Sequence, residues 1–177
     1  MSKFVVTFAG PVGSSKTPIA HHLSYTFNLP IFNNDTIRTE VAEDLLQFDN
    51  EEFRKRARKR IKNIVDRDLP FIYDASVDRT WEEIKQILIN NNYRWFIINL
   101  DLSKSFLVKL YQVKNYEDSL SEIDRFIAEH HKFLKKHKND ISLNINDQNF
   151  SNRLSISASK LAKWLKNQIN PDTPVKL

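Results

Sequence analysis

The chain has 177 residues, of which 41% are hydrophobic and 28% charged, and a formal net charge of +5. That balance excludes collagen-like, disordered and disulfide-scaffold proteins. The absence of cysteine removes thiolate metal sites and cysteine nucleophiles. One domain over residues 1–169 with a tail at 170–177 is the simplest organisation. The apolar run Lys3–Ala9 is too short for a signal or membrane span, so a cytoplasmic location is expected.

In chain order, residues 4–9 read as a buried strand and residues 16–27 as a helix. Residues 30–32 form a second short strand. Residues 35–47 then look helical, with Ile37, Val41, Leu45 and Leu46 at helix spacing. A basic helix follows at about 51–67, with Phe53, Ala57, Ile61 and Ile64 on one face. Residues 71–73 are a third strand ending at Asp74, residues 81–91 a helix, and residues 95–100 a fourth strand. Residues 103–114 and 120–137 read as two helices around a polar break at 115–118. Residues 141–145 are a fifth strand and 152–167 a closing helix, with Pro171 and Pro174 marking a loose tail. Tyr25, Trp81 and Trp164 are expected in the core or at its rim. Strands alternating with helices imply a three-layer α/β/α fold on a five-stranded parallel sheet. Ligands in such sheets bind outside the carboxyl ends of the strands.

Only two glycines are present, Gly10 and Gly13, against roughly a dozen at the usual frequency of about 7%. Both lie in Gly10-Pro11-Val12-Gly13-Ser14-Ser15-Lys16-Thr17, after a strand and opening a helix. In that setting G-x-x-x-x-G-K-[ST] is a phosphate cradle. Loop amides and the helix N-terminus face one anion, Lys16 adds a full charge on the outer phosphates, and the Thr17 hydroxyl serves Mg²⁺. Ser15 stands where the motif has its second glycine. The alternative is a plain strand-to-helix turn. Two further motifs end strands: Asn34-Asp35-Thr36-Ile37-Arg38 and Phe71-Ile72-Tyr73-Asp74-Ala75-Ser76. Asp35 has a structural alternative as a helix cap. Arg38 in a first turn opposes the helix dipole, which favours a binding role. Asp74 is read on the metal side or as a turn residue, and Arg79 as a cleft or surface residue.

With these three motifs the sequence resembles the P-loop small kinases, the group containing polynucleotide 5′-kinases, zeta-type toxins, gluconate kinases and shikimate kinases. The resemblance spans nearly the whole chain and implies a P-loop NTPase fold and an ATP–Mg²⁺-dependent phosphotransferase acting on a hydroxyl. It implies that residues 10–18, including Pro18, hold nucleotide phosphates and that Thr17 and Asp74 hold the metal. It implies further that Asp35 takes the proton of the acceptor hydroxyl and that Arg38 anchors the acceptor. A lid at about 103–137 would neutralise the transferring group, with Lys109, Lys114 and Arg125 as its candidates. Ser15, Pro18 and the lysines in place of lid arginines depart from that pattern. They point to a second reading, a catalytically weak nucleotide-binding module with a regulatory role.

Residues 54–62 hold seven of the 27 basic residues and no acid, and the remainder carries 20 basic against 22 acidic residues. A solvated face is the ordinary explanation, and nucleic-acid binding through this helix is the functional one. The paired histidines His21-His22 and His130-His131 sit within helices, where neighbours face apart, so no shared metal site is expected.

Overall fold

In the computed structural model, which describes residues 3–169, the chain folds as a parallel sheet covered by helices on both faces. The elements are β1 (Phe4–Ala9), α1 (Lys16–Phe27), β2 (Ile31–Asn33), α2 (Asn34–Leu45), α3 (Asn50–Asp66), β3 (Phe71–Ser76) and α4 (Trp81–Asn90). They continue with β4 (Arg94–Leu100), α5 (Lys104–Lys114), α6 (Glu117–Ser121), α7 (Ile123–His137), β5 (Ile141–Ile145) and α8 (Arg153–Ile169). The strand order is β2-β3-β1-β4-β5, with every pairing parallel. The expected tail with Pro171 and Pro174 lies outside the described residues.

Strand β1 is buried at all six positions, as the central strand of a sheet covered on both faces must be. Its period-two alternation divides the core. Phe4, Val6 and Phe8 pack with Ile19, Leu23, Leu107, Tyr111 and Leu161 from α1, α5 and α8. Val5 and Ala9 face Ile37, Val41, Phe53, Trp81, Leu88 and Phe133 from α2, α3, α4 and α7. Each fully buried large apolar side chain contributes roughly 1.5–3 kcal/mol relative to exposure.

The strand registers set Asn33 beside Asp74 and Ala9 beside Asn99, so the carboxyl ends of β1 to β4 share one rim. The β1–β3 register shifts between Val6 and Phe8, with Val6 opposite Ile72 and Phe8 opposite Ser76. Thr7 Oγ1 donates to the Tyr73 carbonyl at 3.2 Å inside this irregularity. Such bulges re-aim side chains next to sites, and the residue that follows Tyr73 is Asp74.

Three sequence expectations change. The helix expected at 120–137 begins earlier and is interrupted at Glu122. Ser121 Oγ donates back to the Asp118 carbonyl at 2.8 Å, a side-chain bond that competes with the helical ladder. Tyr25 is 91% exposed rather than core, because the buried stripe of α1 runs through Ile19, Ala20 and Leu23. Strand β3 continues beyond Tyr73 to Ser76. Trp81 is buried, and Trp164 packs edge-on against Phe4 and Phe96, as expected.

Candidate active site

The loop between β1 and α1 takes its shape from three residues with positive φ: Gly10 at 133°, Gly13 at 73° and Ser15 at 83°. A Cβ on Gly10 would stand 2.9 Å from the Leu100 carbonyl oxygen, and one on Gly13 would stand 2.5 Å from Tyr111 Cε1. Both glycines are therefore required by backbone conformation and by space. Ser15 adopts the conformation that a glycine would take freely. Its hydroxyl accepts a hydrogen bond from Arg153 Nε at 2.8 Å, at the start of α8. Helix α1 opens with no side-chain cap and no acid in its first turn, leaving its amides open to an anion. Pro18, in that turn, contributes no N–H.

Helix α5 grips the same loop. Tyr111 Oη donates to the Val12 carbonyl at 2.6 Å and Lys114 Nζ to the Gly13 carbonyl at 2.7 Å. Lys16 Nζ donates to the carbonyls of Gly10 at 3.0 Å and Pro11 at 2.6 Å, and to Ser14 Oγ at 3.3 Å. Burial pushes the Lys16 ammonium down to about 8, against the opposing pull of the Asp78 and Asp74 carboxylates. Burial likewise lowers Lys114, and the nearby Arg153 charge adds to that shift.

Thr17 Oγ1 lies 3.3 Å from Asp74 Oδ1, and Asn33 Nδ2 donates to Asp74 Oδ2 at 2.9 Å. Burial raises the Asp74 carboxyl above its ordinary value, although the bonds from Thr17 and Asn33 oppose the shift. A threonine hydroxyl beside a carboxylate, at the foot of the 10–17 loop, is a hard oxygen donor set of the kind Mg²⁺ takes. These residues fit the metal.

On the neighbouring strand end, the α2 cap is Asn33 and not Asp35. Asn33 Oδ1 accepts from the Asp35 amide at 2.6 Å and the Thr36 amide at 3.4 Å. The exposed Asp35 carboxylate has no hydrogen-bond or ion-pair partner among the described residues. Arg38 places its guanidinium 4.6 Å from the Phe53 ring centroid and 5.2 Å from that of Phe48. The basic run of α3 is largely spoken for by acids. Arg56 bonds Glu52, Glu40 and Asp44, Arg60 bonds Glu40, Lys55 bonds Glu52, Arg58 bonds Glu83, and Lys62 bonds Asp66.

The lid candidates separate. Lys114 is at the loop. Lys109 is exposed on α5, five residues before Lys114 and off the face that carries Tyr111 and Lys114. Arg125 is held on α7 by Glu122 and Glu129. Arg79 pairs with Glu129 Oε2 at 3.4 Å rather than entering the rim.

Four residues at the loop escape a motif-based reading: Asp78, Tyr111, His130 and Arg153. Asp78 accepts from the Gly10 amide through both oxygens, at 3.1 and 3.3 Å, and His130 Nδ1 lies 3.1 Å from Asp78 Oδ2. Only Asp78 carried a usable signal, as a second acid shortly after Asp74. No metal-binding group of three or more His, Cys, Asp or Glu occurs among the described residues.

No protein-family model matches the chain, and no curated protein matches it by sequence. Solved structures do match its fold. A shikimate kinase from Aquifex aeolicus superposes with a TM-score of 0.59 at 14% identity, covering 94% of this chain and 99% of that one. A gluconokinase from Sinorhizobium meliloti 1021 gives 0.57 at 12% identity, covering 97% and 98%. An APS kinase from Mycobacterium tuberculosis, in complex with AMPPNP and APS, gives 0.58 at 12% identity, covering 91% and 98%. The chain thus has a P-loop α/β/α fold. Within that class its architecture is the one found in the P-loop small kinases. No helix among the described residues is long and apolar enough to cross a membrane.

Proposed function

We infer that this chain is an ATP-dependent phosphotransferase that moves the γ-phosphoryl group of Mg·ATP to a hydroxyl of a small molecule, nucleotide or nucleic-acid end. The observation that carries the reading is the convergence on one rim of the loop at residues 10–17, the Thr17–Asp74 contact and the unpartnered Asp35 carboxylate. The APS kinase of similar fold is described with AMPPNP, which supports adenine nucleotide as the ligand. Bound Mg·ATP supplies the phosphoryl group and part of the charge neutralisation that its transfer needs.

The chain's own residues divide the remaining work. The loop amides and Lys16 bind the phosphates, with Lys16 exchanging loop carbonyls for phosphate oxygens. Thr17 and Asp74 would hold the metal. Asp35 accepts the proton of the attacking hydroxyl, and Arg38, stacked on Phe53 and Phe48, anchors the acceptor. The test is a Mg·ATP consumption screen across hydroxyl acceptors. Lys16→Ala and Asp35→Asn should each lower turnover by about 100-fold or more. Turnover unchanged in both variants would sink the reading.

A second reading, nucleotide binding with weak catalysis, is favoured by one observation. Of the three lid candidates, Lys114 alone reaches the loop, where it is bonded to a carbonyl. Mg·ATP binding without transfer to any acceptor would select it.

A further inference from the structure

Asp78 is a buried carboxylate set against a loop built for anions, and no motif assigns it a role. Its side chain is 7% exposed and that of His130 is 3% exposed. The surrounding backbone explains what it does locally. The Val77 amide donates to the Phe8 carbonyl at 2.9 Å, the last parallel bond between these segments. One residue further along, β1 ends and Gly10 turns away with φ at 133°. There the Asp78 carboxylate takes over from the backbone and accepts the Gly10 amide. The orientation of the first loop residue is thus set by a side chain.

That side chain is itself held from α7. His130 Nδ1 lies 3.1 Å from Asp78 Oδ2, while Nε2 is buried with no partner. Since a carboxylate only accepts, Nδ1 carries the proton, and an unprotonated Nε2 leaves no buried N–H unsatisfied. The ring stacks on Phe133, with centroids 6.5 Å apart and planes at 14°. A second contact runs alongside: Arg79, next to Asp78, pairs with Glu129, next to His130. Helices α5 and α7 therefore act on the loop at both ends, α5 directly and α7 through Asp78. Tyr111 and Lys114 hold the carbonyls of Val12 and Gly13, and His130 acts on Gly10 through Asp78.

We propose that Asp78 and His130 are a positioning pair for the phosphate loop, in which the carboxylate fixes the Gly10 amide and His130 makes that hold depend on the docking of α7. The proposal rests on the loop being a nucleotide cradle, but its first test needs no ligand. Amide hydrogen exchange of the free full-length chain should rise severalfold at residues 10–16 in His130→Phe, with α3 unaffected. Phenylalanine keeps the stack on Phe133 and removes only the donor. His130→Asn, whose amide can replace Nδ1–H, should restore most of the protection. Unchanged exchange in His130→Phe, or equal loss in both variants, would overturn the pair.

The second test is ADP affinity by calorimetry. His130→Phe and Asp78→Asn should each weaken it by about tenfold, and the double variant should be no worse than the weaker single one, as for residues acting as a unit. Additive losses, or unchanged affinity despite a lowered melting temperature, would reduce His130 to packing and overturn the proposal. A wild-type chain that binds no adenine nucleotide would instead sink the functional reading, leaving the exchange result to decide the pair.

Discussion

Ser15 carries a side chain through a backbone conformation that costs a non-glycine residue about 1 kcal/mol. The Arg153 Nε bond to its hydroxyl, at 2.8 Å, offsets that by a comparable amount, about 1 kcal/mol. Ser15→Gly removes both terms and should leave unfolding stability within about 0.5 kcal/mol of wild type. Ser15→Ala keeps the strain and loses the bond, so it should be the least stable of the three by about 1 kcal/mol. Urea denaturation gives the ranking, and an alanine variant as stable as the glycine one would refute the compensation. The departure at Ser15 is visible in the sequence because the motif names the position. Its remedy is not, because Arg153 is 138 residues away and belongs to no motif.

Element by element, strong periodicity was legible and local side-chain chemistry was not. The buried runs of β1 and β4 and the amphipathic stretches of α3 and α4 follow directly from their patterns. Asn33 and Asp35 are both good cappers, and only geometry chooses Asn33 as the cap of α2. That choice matters, since it leaves the Asp35 carboxylate unoccupied. The docking of α4 was also invisible. Asp140, just after α7, accepts from Lys85 Nζ at 2.8 Å and Trp81 Nε1 at 2.9 Å. Burial pushes the Asp140 carboxyl up, but the bonds from Lys85 and Trp81 outweigh it and hold the group below its ordinary value. A depressed carboxyl stabilises the fold above the unfolded value of about 4, and the contribution is lost as pH falls through the folded value. Asp140→Asn should therefore cost about 1 kcal/mol at pH 7, with a deficit that shrinks at pH 3. A deficit undiminished at pH 3 in urea unfolding would contradict this origin.

For the whole molecule, alternating strands and helices made the layered parallel sheet legible, and with it the rim on which the motifs meet. The order β2-β3-β1-β4-β5 and the return of α5 and α7 to the loop depend on contacts between distant segments, which no local pattern encodes. Charge was the least legible property at this scale. By count the positive segment is 54–62, yet five of its seven cations sit against Glu40, Asp44, Glu52, Asp66 and Glu83. Opposite charges this close cancel well within a Debye length of about 8 Å at physiological salt. The end of α7 and the turn that follows it differ: Lys132, Lys135, Lys136 and Lys138 have no ion-pair partner among the described residues. Lys135 and Lys138 line a groove of about 570 Å³ whose other side carries Asn99, Ser142 and Asn144. The uncompensated field, and so any salt-sensitive attraction for a polyanion, is therefore stronger at α7 than at α3. On a heparin column, the triple change Lys135→Glu, Lys136→Glu and Lys138→Glu should lower the eluting salt more than Arg54→Glu, Lys55→Glu and Lys59→Glu. The two variants alter net charge equally, so the reverse order would place the effective positive surface on α3 despite its acidic partners.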